Sequence, residues 1–306
     1  MNKLITLLVG TDFSDCSRSA LEQAVRLAKW NTARLHALHS VEYLTLSDAA
    51  WASHIPHESL ERDAVVEAKQ RLHGWLAEAG ASSEAQALVD VGAPIDCILR
   101  RVRETRTDLL VLGLTGSSMI PMGAGTLASK CLRKAPTKVM LVREGHTGPF
   151  RKVVACVDFS EQSREAVAQA LRVATQDDSQ VHFLHVFTGS WGRYALVPDA
   201  WEEDEEKAAK CRHALEQRLS EFVGDTAGRP ARYAVVEAAN HGHGIAEYGR
   251  RVGADLVVLG TKGRSNLGYV LLGSTVERLL REIPCSALVV RPPAAEGGNP
   301  TEAVRG

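Results

Sequence analysis

Leu7 to Ala28 reads LLVGTDFSDCSRSALEQAVRLA, and Val153 to Ala174 reads VVACVDFSEQSREAVAQALRVA. Each is a short apolar run, the tripeptide D-F-S, and apolar residues at helical spacing. That pattern reads as strand, turn and amphipathic helix, with Ser14 and Ser160 placed to cap the helix start. Asp12 matches Asp158, 146 residues later. Working outward, DLLVLG (Asp108 to Gly113) matches DLVVLG (Asp255 to Gly260), and KVMLVR ending at Arg143 matches SALVVR ending at Arg291, in the same order. Solenoid repeats run about 20 to 50 residues, so a period near 150 is a duplicated domain. We expect one copy over residues 1–146, a second over 151–292 and a flexible Pro/Gly-rich tail over 293–306, with the boundary near Gly145 to Phe150.

Within each copy, apolar β-rich runs alternate with amphipathic stretches, the pattern of an α/β fold with a parallel sheet and helices on both faces. Five strands are expected per copy: about Leu4 to Val9, Arg34 to Ser40, Ala85 to Val91, Leu109 to Gly113 and Lys138 to Arg143 in the first. In the second they are Lys152 to Val157, Gln180 to Val186, Arg232 to Glu237, Leu256 to Gly260 and Ser286 to Arg291. A longer insert follows the second strand of each copy, around Trp51 to Ser59 and Gly189 to Trp201. The acidic run Glu202 to Glu206 reads as a solvated helix start.

Composition narrows the function classes. The 306 residues carry 36 Lys plus Arg against 37 Asp plus Glu, a formal charge of −1, which gives no overall pull on nucleic acid or anionic membranes. No apolar run approaches the roughly 18 to 20 residues of a spanning helix and no targeting signal is evident, so a cytoplasmic location is expected. Six cysteines without a C-x-x-C fit reduced, buried thiols.

The chemistry concentrates at Gly260-Thr-Lys-Gly263, followed after nine residues by Gly273-Ser274-Thr275. Glycines at a strand's carboxyl end let backbone N–H groups approach a phosphate, and the next helix start adds donors. Ser274 and Thr275 would add hydroxyls, while Lys262 and Arg264 could offset phosphate charge. The pattern is neither G-x-x-x-x-G-K-[ST] nor G-x-G-x-x-G, so P-loop and dehydrogenase readings lose their support.

This G-x2-G-x9-G-[ST], after D-L-[VL]-V-L and with an Asp at the end of the first strand, closely resembles the universal stress protein family. The resemblance covers both copies, Lys3 to Arg143 and Arg151 to Arg291. It implies two tandem five-stranded parallel sheets of order 3-2-1-4-5, and a crevice where strands one and four part, as open α/β sheets bind ligands at the switch in strand order. It also implies ATP, with Mg²⁺, as ligand. Val157, Asp158 and Val186 would take the adenosine, and Gly260, Gly263, Gly273, Ser274 and Thr275 the ribose and phosphates. Asp158 also reads as a turn-former. Relatives with one domain pair through their fifth strands, which implies an internal pseudo-dimer burying the edges Lys138 to Arg143 and Ser286 to Arg291; a further homodimer stays open.

The first copy departs from the motif. Gly113 and Gly116 match, but Gly125-Thr126 follows after eight residues, and the intervening SSMIPMGA has no Lys or Arg. With Asp12 and Val41, these residues form a weaker nucleotide site, a site for another ligand, or none. Each lost charge-assisted bond removes roughly 1.5 to 3 kcal/mol.

Other chemistries find less support. His36 with His39, and His182 with His185, sit three apart on strands and face opposite ways. His241 and His243, read as a loop after the third strand, could share a zinc with His182 or His185, but no carboxylate or thiolate partner is obvious. There is no G-x-S-x-G, no paired acid at the crevice, and T-D-F-S or V-D-F-S stands where an ATP-pyrophosphatase needs S-G-G-x-D-S; at most slow ATP hydrolysis is expected. Two readings follow: a nucleotide-responsive regulatory protein, or a nucleotide-independent interaction scaffold.

Overall fold

The computed structural model describes residues 4–43, 47, 51, 56–116, 125–188, 201–261 and 273–291. The first copy runs β1 (Thr6–Thr11), α1 (Asp15–Asn31), β2 (Arg34–Val41), α2 (His57–Glu78), β3 (Gln86–Val91), α3 (Pro94–Glu104), β4 (Leu109–Gly113), α4 (Thr126–Lys134) and β5 (Lys138–Val142). The second repeats it as β6 (Lys152–Cys156), α5 (Glu161–Asp177), β7 (Gln180–Phe187), α6 (Trp201–Val223), β8 (Ala231–Glu237), α7 (His241–Val252), β9 (Leu256–Gly260), α8 (Ser274–Glu282) and β10 (Ser286–Val290).

Each copy has the strand order 3-2-1-4-5, and the two halves join into one sheet, β3-β2-β1-β4-β5-β10-β9-β6-β7-β8. All pairings are parallel except β5 with β10, which run antiparallel with Met140 opposite Leu288. The fifth-strand edges thus satisfy each other's backbone groups, leaving β3 and β8 as the outer edges. Every residue of β1 is buried, as expected of a strand covered on both faces. Leu7 and Val9 enter the core layer beneath α1 and α2, while Leu8 enters the layer beneath α3 and α4.

Both serines cap as expected: Ser14 accepts from the Ser17 N–H at 3.2 Å and Ser160 from the Ser163 N–H at 3.3 Å. The first strand starts two residues later than its hydropathy suggests. Ile5 and Thr6 N–H groups both donate to the Asp108 carboxylate, at 2.8 and 2.9 Å, and Arg151 and Lys152 do the same to Asp255. The Asp that opens each D-L-x-V-L run therefore anchors the neighbouring first strand.

The seam between the copies brings residues 146 positions apart into matching contacts. Arg26 pairs with Asp177 across it, and at the equivalent positions Arg172 donates to the Asn31 side-chain carbonyl at 2.5 Å. Asp177 also accepts the Phe150 N–H at 2.8 Å, and Gln23 donates to the His146 and Gly148 carbonyls, so the connecting segment is held.

Candidate functional site

The D-F-S turns set the geometry. Asp158 Oδ1 accepts the Ser160 N–H at 3.0 Å and its hydroxyl at 2.5 Å, and Asp12 does likewise with Ser14 at 3.1 and 2.6 Å. Asp158 is thus a turn-former, and it also lines the crevice. Phe159 between them adopts φ 65°, and Phe13 φ 62°. A left-handed bulky residue costs on the order of 1–3 kcal/mol and persists only where its surroundings fix it. They do: Phe159 packs on His185 at 4.6 Å and edge-on to Phe222 at 5.5 Å, beneath the Arg218 guanidinium at 4.3 Å. Phe13 has the matching set in His39, Trp75 and Arg71. Helices α2 and α6 are thereby tied to the turn that presents each Asp.

At the carboxyl ends of β6 and β9 lies a cleft of about 380 Å³, within the size range of small-molecule sites. Of the residues singled out from sequence, Val157, Asp158, Val186, Gly260, Gly273, Ser274 and Thr275 meet there; Lys262, Gly263 and Arg264 lie outside the described residues. One wall is apolar, with Leu184, Ile245, Leu259 and Val276 beside the two valines. The other end is polar. Helix α8 begins at Ser274 with Gly273 as its cap residue and no side-chain cap bond, which leaves its first-turn N–H groups to a ligand or solvent. Hydroxyls, a carboxylate and uncapped N–H groups beside an apolar wall are the donor set that a nucleotide with a hard, oxygen-seeking cation would use.

His185, His241 and Cys156 line the cleft without having been singled out as contacts. The His185 ring nitrogen Nδ1 donates to the Val157 carbonyl at 2.7 Å, which fixes its tautomer. Burial pushes the Cys156 thiol well above its ordinary range, which favours the protonated thiol over the thiolate. His241 and His243 are not in a loop: Asn240 accepts the His243 N–H at 2.8 Å and starts α7 there. The His243 ring bonds Glu282 at 2.9 Å. Among the described residues no group of three or more His, Cys, Asp or Glu is placed to hold a metal. His36 bonds Gln86 and His182 bonds Tyr248, on the face opposite His39 and His185.

In the first copy Asp12, Gly113, Gly116 and Gly125 also converge. A Cβ on Gly116 would lie 3.2 Å from the Asp12 carboxylate, and one on Gly125 would lie 3.5 Å from the Gly116 nitrogen. Helix α4 begins at Thr126 with Gly125 as an equally uncapped start. Val41 needs correction. Gly10 neighbours Leu38 across β1 and β2 as Cys156 neighbours Leu184 across β6 and β7, so Val186 corresponds to Ser40 and Val41 to Phe187. A one-residue slip sends a strand side chain to the other face. Leu114 follows Gly113 where Thr261 follows Gly260, and Ser40's β3 neighbour is Asp90, against Val236 beside Val186. Burial raises the Asp90 carboxyl, but bonds from Arg101 and Arg100 outweigh it and hold the group below its ordinary value.

The family profile described as "Universal stress protein family" matches residues 5–143 and again 149–291. The universal stress protein E homolog of Haemophilus influenzae is 24% identical over 308 residues, covering 95% of this chain and 98% of its own. A universal stress protein of Methanocaldococcus jannaschii is 29% identical over 165 residues, 51% of this chain and 90% of its own. Among solved structures, a universal stress protein from Archaeoglobus fulgidus superposes with a TM-score of 0.63 at 19% identity, covering 94% of this chain and 98% of that one. A Pseudomonas aeruginosa protein of unknown function gives 0.65 at 17%, covering 95% and 93%. At these identities the structures share the fold. The two profile matches span nearly the whole sequence, and the chain belongs to the universal stress protein family as a tandem two-domain member.

Proposed function

We propose that the chain is a stress-response regulatory protein whose second copy binds an adenine nucleotide, ATP with Mg²⁺, in the cleft between β6 and β9. The observation that carries this reading is the meeting of an apolar wall with the uncapped start of α8 at one cleft, at the switch point of the sheet. Val157, Asp158 and Val186 take the nucleoside, and Gly260, Gly273, Ser274 and Thr275 the phosphates, joined by Gly263, Lys262 and Arg264. The first copy serves chiefly as a structural half: Asp12, Gly113, Gly116, Gly125 and Thr126 are together, but Ser40 and Leu114 replace a valine wall and a threonine hydroxyl. Because β5 and β10 already pair, the chain acts as an internal pseudo-dimer, and a homodimer would use other faces.

The test is the small-molecule content of freshly purified protein, released by denaturation and identified by mass spectrometry, followed by titration with ATP and Mg²⁺. About one adenine nucleotide per chain is the expected result. Two per chain would refute the unequal halves, and none, with no binding on titration, would leave the scaffold reading standing.

A further inference from the structure

The start of α7 differs from its counterpart, the start of α3 in the first copy. Counting from the cap residues Ala93 and Asn240, the first copy has Pro94, Ile95 and Cys97 where the second has His241, Gly242 and Gly244. The glycines permit an approach that no side chain could share. A Cβ on Gly242 would stand 2.7 Å from the Arg278 Cβ and 2.8 Å from both the Leu279 nitrogen and the Thr275 carbonyl; one on Gly244 would stand 2.8 Å from a Val186 methyl and from the Ala238 Cβ. The first turn of α7 is therefore pressed against the first two turns of α8 and against the strand that carries Val186.

Within that turn the two histidines diverge. His243 turns to Glu282 on α8, whereas His241 is exposed and lines the cleft with Ser274 and Thr275. His241 thus adds an imidazole N–H donor to a cleft that also holds the uncapped start of α8, a combination suited to anionic oxygen.

We propose that His241 contacts the phosphates of the bound nucleotide and determines specificity for the charged end of the ligand over the bare nucleoside, a role that rests on the nucleotide reading given above. The first copy, with Pro94 at this position and Ile95 and Cys97 in place of the glycines, lacks the device.

Calorimetric titration of the full chain with ATP–Mg²⁺ and with adenosine tests it, using His241→Ala and His241→Pro. The second variant installs the first copy's own residue at the first helical position, where proline is favoured and no N–H bond is lost, so α7 is retained. Both variants should bind ATP about ten- to a hundredfold more weakly, the range for one hydrogen bond to a charged group, with adenosine affinity unchanged. Unchanged ATP affinity in the variants would overturn the role of His241 alone, as would an equal loss for adenosine, which would place the ring against the base. A wild-type protein that binds neither ligand would overturn the nucleotide reading and this role with it.

Discussion

The two copies share their strand order, their D-F-S turns and their Arg–aromatic supports, yet differ where a ligand would sit. In the first, Gly10, Ser40, Pro94 and Leu114 occupy the positions of Cys156, Val186, His241 and Thr261 in the second. What both retain is what the backbone needs: the Asp–Ser turn, the left-handed Phe with its cage, and the half-buried Asp108 or Asp255 anchoring the first strand. The difference teaches that the scaffold and the ligand wall are separable layers of the sequence. Breaking the first should affect stability in either copy; breaking the second should matter in one.

The largest expected effect comes from the seam. Asp177, its side chain 1% exposed, receives both Arg26 and the Phe150 N–H. Asp177→Ala leaves a desolvated guanidinium and an orphaned N–H, which should cost about 3–5 kcal/mol. The equivalent Asn31→Ala removes the acceptor of the Arg172 guanidinium and one neutral bond to the Leu27 carbonyl but no opposite charge, and should cost less, about 1.5–3 kcal/mol. Denaturant titration separates these; equal losses would mean the seam is symmetric in energy as well as in position.

Next is the cleft. Gly273 has φ −62°, which any residue can adopt, so Gly273→Ala with Ser274→Ala should leave the melting temperature nearly unchanged. Removing the hydroxyl and the close backbone approach should weaken ATP binding at least about a hundredfold, near 2.7 kcal/mol. Gly125→Ala in the first copy should have little effect on nucleotide stoichiometry. Equal losses from both changes would overturn the claim of unequal halves.

Acid should distinguish the halves more mildly. Burial lowers the His182 pKa to about 4, and the ring bonds the Tyr248 hydroxyl at 2.8 Å. His182 folds neutral while the unfolded chain titrates near 6.5, so its contribution is intact above that value. It is lost as pH falls from about 6.5 to about 4, by roughly 1–3 kcal/mol. His182→Phe should flatten that limb of the stability profile. His36, lowered chiefly by burial and bonded to Gln86, should matter less; an unchanged profile in the His182 variant would show that the acid response lies elsewhere.

Much of this was legible in the sequence because the duplication states the pattern twice. Strand and helix periodicities, Ser caps and the glycine motif are local signals, and the resemblance they support carried the strand order. Val41 was misread because alternation along a strand makes one residue of misalignment a change of face, and only the register across β1 and β2 settles it. The start of α7 was misread as loop because Asn240-His-Gly-His-Gly has poor helix propensity; its helix is held by the Asn240 cap and by packing on α8. The cage around Phe159 draws on β7 and α6, so no window of sequence contains it.

The smallest effect is the most pointed. If the seam asymmetry were an accident, Asn31→Asp would give Arg172, whose pKa burial lowers, the charged partner that Arg26 already has. The surroundings argue otherwise. Asp177 meets a backbone N–H donor at Phe150, whereas the Asn31 amide donates to the Leu27 carbonyl at 2.9 Å. A carboxylate at 31 would lose that bond and set a charge against a carbonyl oxygen in a site 2% exposed, offsetting its attraction to Arg172. We expect Asn31→Asp to destabilise the chain by about 1 kcal/mol at neutral pH. The deficit should shrink on acidification as the protonated carboxyl donates to Leu27. Stabilisation at neutral pH would show instead that charge, and not the matching of donor to acceptor, governs the seam.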